Sequence, residues 1–199
     1  MQDLTQGKPI KVIILFTIPL IIGSFFQLAY NFADAMIVGH TLGQTAFASI
    51  GATGSLTFLI IGFAQGLTGG FSIIVAQRFG ARDYVGLKRS YVHGLFYTIV
   101  VSLILSIFSL LFLRQLLELM QTPDSLIKYC ERFLISIFGG AVFTVLFNYL
   151  SNVLRAVGNS TMPLIALVLA CLMNIGLDFL YILALHMGVF GAGVATVEA

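Results

Sequence analysis

Long apolar runs, separated by short clusters of charge, organise this chain. From Ile10 to Val38 the sequence carries Lys11 near its start and then nothing ionisable until Asp34. The run from Met162 to Leu185 holds Asp178 as its one Asp, Glu, Lys or Arg. A membrane-spanning helix needs roughly 20 mostly apolar residues. By that measure the pattern predicts five complete spans, at roughly 10–38, 45–77, 91–113, 127–153 and 162–185, with a sixth starting at 189 and stopping at 199 before it can cross. Backbone in lipid must satisfy its own hydrogen bonds, and no 10-residue alternation of apolar and polar positions occurs, so strands are not expected. The second run is longer than a bilayer requires and is punctuated by Gly62, Gly66, Gly69 and Gly70, which favour tilt, bending or close packing. The fold class is all-α, a polytopic membrane helix bundle.

Composition sharpens this reading. Hydrophobic residues make up 59% of the chain and charged ones 9%, against about 25% charged in soluble domains. A net charge of +2 carried in short loops is no nucleic-acid footprint, so lipid is the expected surrounding and nucleic acid is not a partner. Cys130 and Cys171 lack disulfide or metal-ligand spacing and read as small packing residues. The first apolar run far exceeds the 7–15 residue core of a signal peptide, so it is expected to stay as the first helix.

Loop charge predicts orientation. Lys8, Lys11, Arg78, Arg82, Lys88, Arg89 and Arg155 fall on one side, and Arg114, Lys128 and Arg132 on the other. The positive-inside rule then puts the amino terminus in the cytoplasm. With the first and fifth helices both running outward, Asp34 and Asp178 lie at similar height in the outer half of the membrane.

Two lone carboxyl groups at one depth are the candidate chemistry. A charge at the centre of a span costs about 2.5–3.5 kcal/mol on insertion scales, and intramembrane acids usually mark ion or substrate pathways. Gln27, Asn31 and Asp34 follow i, i+4, i+7 spacing on one helical face, and Asn174 and Asp178 are i, i+4 on another. An amide beside a carboxylate can add a carbonyl oxygen to an ion's shell or donate a hydrogen bond to the acid. For Gln27 and Asn31 a second reading stands equally, as interhelical hydrogen-bond glue. Asn148 and Asn152 share a face, where packing or hydration explains them as well. Thr68 and Ser72 read first as packing residues. His40, His93 and His186, and Tyr30, Tyr91 and Tyr129, fall near helix ends, where solvation or aromatic anchoring accounts for them. Nothing forms a zinc site, nucleotide loop or nucleophilic triad, so no enzyme and no cofactor is expected.

Several stretches are similar to one transporter family. Asn31-x-x-Asp34-x-x-x-x-Gly39-x-x-x-Gly43 resembles the first helix of the multidrug and toxic compound extrusion (MATE) transporters. Gly66-x-x-x-Gly70 followed by Gln77-x-x-Gly80-Ala81 looks like the end of the second. Leu154-Arg155-Ala156-x-Gly158-Asn159-Ser160-x-x-Pro163 resembles the connection from fourth to fifth. Asn174-x-x-x-Asp178 and Gly188-x-x-Gly191-Ala192-x-x-Ala195-Thr196 look like the fifth and sixth. Each piece is weak alone; their order and spacing over nearly the whole chain are specific.

The resemblance implies a multidrug exporter of twelve helices in two six-helix lobes, exchanging drugs or dyes against Na+ or H+ across the inner membrane. This chain would be the amino-terminal, ion-coupling lobe of the prokaryotic branch, with its sixth helix truncated and the carboxy-terminal lobe as its absent partner. The family's coupling residues would be Asp34, Asn174, Asp178 and Thr196, with Asn148 on the fourth helix. Na+ would bind at Asp34 and Asp178, and carboxylate and amide oxygens serve H+ equally. Pro19 and Gly23 would be weak points where the first helix bends. Gln27, Tyr30 and Asn31, with the aromatic rings of Phe25, Phe26 and Phe147, are candidates for the drug cavity. The nearest rival is a lipid-linked oligosaccharide flippase or polysaccharide exporter of the same superfamily, which would line its cavity with the basic residues these spans lack. An intramembrane aspartyl protease would need Tyr-Asp and Gly-x-Gly-Asp, where this chain has Ala33-Asp34 and Leu177-Asp178.

Overall fold

The structure is a computed structural model and describes residues 9–199. Lys8 lies outside the described residues, as does the side chain of Lys11, so their share of the orientation argument is not placed. Among the described residues the chain is helical, without strands. The helices are α1 (Pro9–Leu42), α2 (Gln44–Gly80), α3 (Tyr84–Leu111), α4 (Leu113–Leu119), α5 (Asp124–Gly139), α6 (Ala141–Ala156), α7 (Thr161–Asp178) and α8 (Val189–Glu198), with a π-helical segment, Phe179–Ala184, continuing α7. Four helices are long and apolar enough to cross a membrane, and five spans result if the bent α5–α6 pair is one.

Local chemistry explains the breaks. Gly43 alone separates α1 from α2, at φ 87°, a region where a side chain is strained. Asp83 caps α3 by accepting from the Gly86 amide at 2.9 Å and also pairs with Arg78 at 3.0 Å. A β-carbon at Gly86 would sit 2.1 Å from the Asp83 carboxylate, so glycine there permits the cap.

Two regions depart from the hydropathy reading. Where one span is expected over 127–153, the structure has α5 and α6 inclined at 49° about Gly139 and Gly140. At the bend the Ser106 hydroxyl of α3 donates to the Phe138 carbonyl near the end of α5. Beyond the expected end of the third span at 113, the chain forms α4, seven residues long. Its Leu113 and Leu117 are buried, while Arg114 and Glu118 pair on the exposed side at 3.0 Å.

Packing follows membrane rules rather than those of a soluble core. Along α3 the buried positions are Gly94, Thr98, Ser102, Ser106 and Ser109, whereas Phe96, Ile104, Ile107 and Phe108 are exposed. Lipid is as apolar as leucine, so burial selects small residues that let helix backbones approach. The larger apolar core gathers where α5 meets α2, α4 and α8, around Leu134, Phe138, Leu117, Leu56 and Ala192. There α8 seats tightly: a β-carbon on Gly193 would lie 2.0 Å from the Ser136 hydroxyl, and one on Gly140 would lie 2.0 Å from Val197.

Candidate functional site

On the opposite flank, α1 packs along α7 and touches α8. The buried residues of α7 include Cys171, Asn174 and Asp178, at i, i+3, i+7, so one face of this otherwise apolar helix presents them together. Asn174 and Asp178 are 0% exposed and Asp34 is 8% exposed. The Asp34 and Asp178 carboxyl groups are near enough to interact directly. The Tyr30 hydroxyl, one turn before Asp34, lies beside that of Thr196 on α8 and within electrostatic reach of both acids. Three helices therefore bring Tyr30, Asp34, Asn174, Asp178 and Thr196 to one place.

Polar atoms in this cluster go largely unpaired. Both amide atoms of Asn174, both carboxyl oxygens of Asp178 and Oδ1 of Asp34 have no hydrogen-bond partner among the described residues. The Thr196 hydroxyl donates to the Ala192 carbonyl at 2.9 Å, which leaves its oxygen free to accept. Neither acid has an ion-pair partner: the two salt bridges among the described residues are Arg78–Asp83 and Arg114–Glu118. Leaving one buried polar group unmade costs about 1–3 kcal/mol, and more for a charge. Two adjacent, unpaired carboxylates in a dry site need either a shared proton or a cation between them. The oxygen donors suit a proton or a hard cation. No cluster of three or more His, Cys, Asp or Glu that would mark a transition-metal site occurs among the described residues.

Other candidate residues fall elsewhere. The Asn148 amide donates to the Thr144 carbonyl of its own helix at 2.8 Å, and no hydrogen bond joins it to either acid. Gln27 and Asn31 are exposed, so the stripe that ends at Asp34 is covered only at that end. Phe25 is 71% exposed, Phe26 and Phe147 are about 40% exposed, and none of the three packs into the acidic cluster. Tyr30, which aromatic anchoring explained from sequence, instead sits in the cluster. Cys171, read from sequence as a small packing residue, is buried in the α1–α7 contact, where its thiol faces the Phe26 carbonyl at 3.9 Å.

Fold and site together define a polytopic membrane helix bundle with a buried pair of acids between its helices. Comparison with known proteins narrows this. The MatE family model matches residues 19–180, and the chain belongs to the multidrug and toxic compound extrusion family. The probable multidrug resistance protein YpnP of Bacillus subtilis is 32% identical over 98% of this chain and 44% of its own length. The multidrug export protein MepA of Staphylococcus haemolyticus is 25% identical, over 96% and 42%. Among solved structures, a MOP superfamily transporter from Pyrococcus furiosus, described as having a binding pocket of reverse polarity that suggests a different function, superposes with a TM-score of 0.91 at 32% identity, over 98% of this chain and 43% of that one. A MATE protein in its bent conformation gives a TM-score of 0.88 at 32% identity, over 96% and 43%. The chain thus spans less than half the length of the relatives it matches.

Proposed function

We propose that this chain is the ion-coupling half of a secondary multidrug exporter in the inner membrane, with its amino terminus in the cytoplasm. In this reading the exporter exchanges cationic or amphipathic compounds for Na+ or H+. The observation that carries the proposal is the set of buried, unpartnered oxygens on Asp34, Asn174 and Asp178. In the outward-open state Asp34 and Asp178 take up the cation or proton, with Asn174 Oδ1 and the Thr196 and Tyr30 hydroxyls completing the oxygen shell. Neutralising the acids removes the repulsion between α1 and α7 and allows α1 to repack.

Pro19 supplies the weak point, because it removes one hydrogen bond from the helix interior. Gly23, which lies against Leu164 and Leu167 of α7, adds little side-chain resistance to that movement. Drug binds at the uncovered side of α1, where Phe25, Phe26, Gln27 and Asn31 are exposed, and a carboxy-terminal lobe supplies the opposing wall. Phe147 and Asn148 of α6 contribute from the side. Rocking of one lobe against the other then moves the site from one face of the membrane to the other.

The test is dye efflux from proteoliposomes containing the protein at its natural length, under a Na+ gradient and, separately, a pH gradient. One gradient should drive efflux, and Asp34→Asn should reduce it to the level of protein-free vesicles. Efflux that ignores both gradients, or that survives Asp34→Asn with normal incorporation, overturns the reading. Translocation of a lipid-linked oligosaccharide in place of dye would assign the chain to a flippase.

A further inference from the structure

Far along the chain from the acidic pair, a cleft of about 310 Å³ opens between α2 and α3, lined by Phe71, Ile74, Arg89, Ser90, His93 and Tyr97. Arg89, His93 and Tyr97 are at i, i+4, i+8, so one face of α3 grades from charged to aromatic over about 12 Å. Phe71 and Tyr97, with ring centroids 6.1 Å apart, close the apolar end. Gly94 forms part of the wall. The Tyr149 hydroxyl occupies the space a side chain there would fill, donating to the Tyr91 carbonyl at 2.8 Å, so the floor is fixed.

Charge at the mouth is unbalanced. Residues 78–93 contain Arg78, Arg82, Lys88 and Arg89 against Asp83 as the one acid. Asp83 is taken by Arg78, and Arg89 makes no ion pair among the described residues. His93 Nδ1 faces the Arg89 carbonyl at 2.7 Å and must donate there, since a carbonyl only accepts. Its Nε2 makes no hydrogen bond among the described residues. The 28 residues of α3 extend about 42 Å against a hydrocarbon core of about 30 Å. Its first turns therefore lie at the depth of lipid headgroups and Tyr97 lies among acyl chains.

We propose that the α2–α3 cleft binds the anionic headgroup of a membrane glycerophospholipid, with phosphate at Arg89, Ser90 and His93 and an acyl chain along Phe71, Ile74 and Tyr97. Basic pockets between spans on the positively charged side of a membrane protein suit such headgroups. A choline headgroup would bring its own positive charge into the same field and bind less well. The site does not depend on the coupling role of Asp34 and Asp178.

Native mass spectrometry of the protein at its natural length, titrated in detergent with phosphatidylglycerol, phosphatidylcholine or inorganic phosphate, tests this. Phosphatidylglycerol should be retained about tenfold better than phosphatidylcholine. Arg89→Gln combined with His93→Gln should abolish that preference, while Lys88→Gln, outside the cleft, should keep it. Ile74→Trp, at a position 49% exposed that tolerates bulk, should fill the cleft and lower retention with every charge in place. Equal retention of the two lipids, a preference that survives the double substitution, or lipid displaced by equimolar phosphate would each overturn the proposal. Should the double variant fail to fold, Ile74→Trp decides alone, and wild-type retention by it refutes the cleft.

Discussion

Buried polar groups differ in kind on the two flanks of this bundle, mostly self-satisfied neutral hydroxyls on one and unpaired acids with an amide on the other. Along α2 and α3, Ser49, Thr53, Thr68 and Ser102 each donate to a carbonyl three residues earlier at 2.7–3.0 Å, and Ser106 donates to α5. The hydroxyls of Thr57, Thr98 and Ser109 are buried without a partner among the described residues, but they carry no charge. Between α1 and α7, Oδ1 of Asp34, both amide atoms of Asn174 and both carboxyl oxygens of Asp178 are buried without a hydrogen-bond partner among the described residues. The first arrangement is cheap, since a hydroxyl satisfied by its own helix lets backbones approach without a desolvation cost. The second carries a standing cost and gives no packing benefit that leucine would not give better. Natural proteins accept lost stability mainly where function requires it. In the function proposed above, the α1–α7 contact is the working part of the chain and the α2–α3 contact its frame.

The strongest way to break that contrast is to neutralise the costly side. Asp178→Asn keeps the shape and removes the ionisable group. Gradient-driven efflux by the natural-length protein should fall to background, while the thermal midpoint, followed by dye binding or size-exclusion recovery, should hold or rise. A large drop in that midpoint would show Asp178 to be structural. Outside both contacts, where α8 packs on α5, the largest effect is expected at Gly193. Gly193→Leu drives carbon into Ser136 and should destabilise the fold by about 1–3 kcal/mol or more. That loss should appear as lower detergent-solubilised yield and midpoint, with efflux reduced only in proportion to folded protein.

Sequence alone exposed the costly side because a lone acid in an apolar run is conspicuous. Asp34, Asn174 and Asp178 needed only helical spacing to be placed on faces that meet. Spacing does not say which stretch of a face a neighbour covers. Gln27 and Asn31 share a face with Asp34 yet stay open, because in the turns before Asp34 the helix α7 meets α1 at Gly23 and the Phe26 carbonyl and leaves these two side chains uncovered. The bend at Gly139 and Gly140 was illegible for a related reason: hydropathy runs unbroken through it, and it exists because Ser106 and Val197 meet it from other helices. The short α4 was hidden by length, since Leu113 and Leu117 with Arg114 and Glu118 form a clear amphipathic pattern too brief to count as a span. The i, i+4 series Gly94, Thr98, Ser102 and Ser106 was not read from the sequence as the packed face of α3, because small residues stand out less than lone acids in an apolar run.

Smaller substitutions sharpen the comparison on the frame side. Tyr149→Phe removes the one bond from α6 to the Tyr91 carbonyl at 2.8 Å while keeping the ring stack with Tyr91, centroids 6.1 Å apart. Loss of a typical hydrogen bond costs about 1 kcal/mol, visible as a modest fall in thermal midpoint with efflux unchanged.

Thr53→Val is expected to have the least effect, and it makes the sharpest distinction. The Thr53 hydroxyl is fully buried and bonds only to the Ile50 carbonyl at 2.8 Å. That carbonyl lies in the interior of α2, where the Gly54 amide accounts for it through the ordinary i to i+4 helical bond. Valine has the same shape, leaves no donor behind and takes nothing from the backbone ladder, so stability should change by less than about 0.5 kcal/mol. The corresponding swap at the working side, a nearly isosteric change at Asp178, should leave stability equally intact and yet remove transport altogether. If Thr53→Val instead disabled efflux while leaving the midpoint unmoved, buried polarity on both flanks would belong to the transport path, and the division into frame and working part would have to be redrawn.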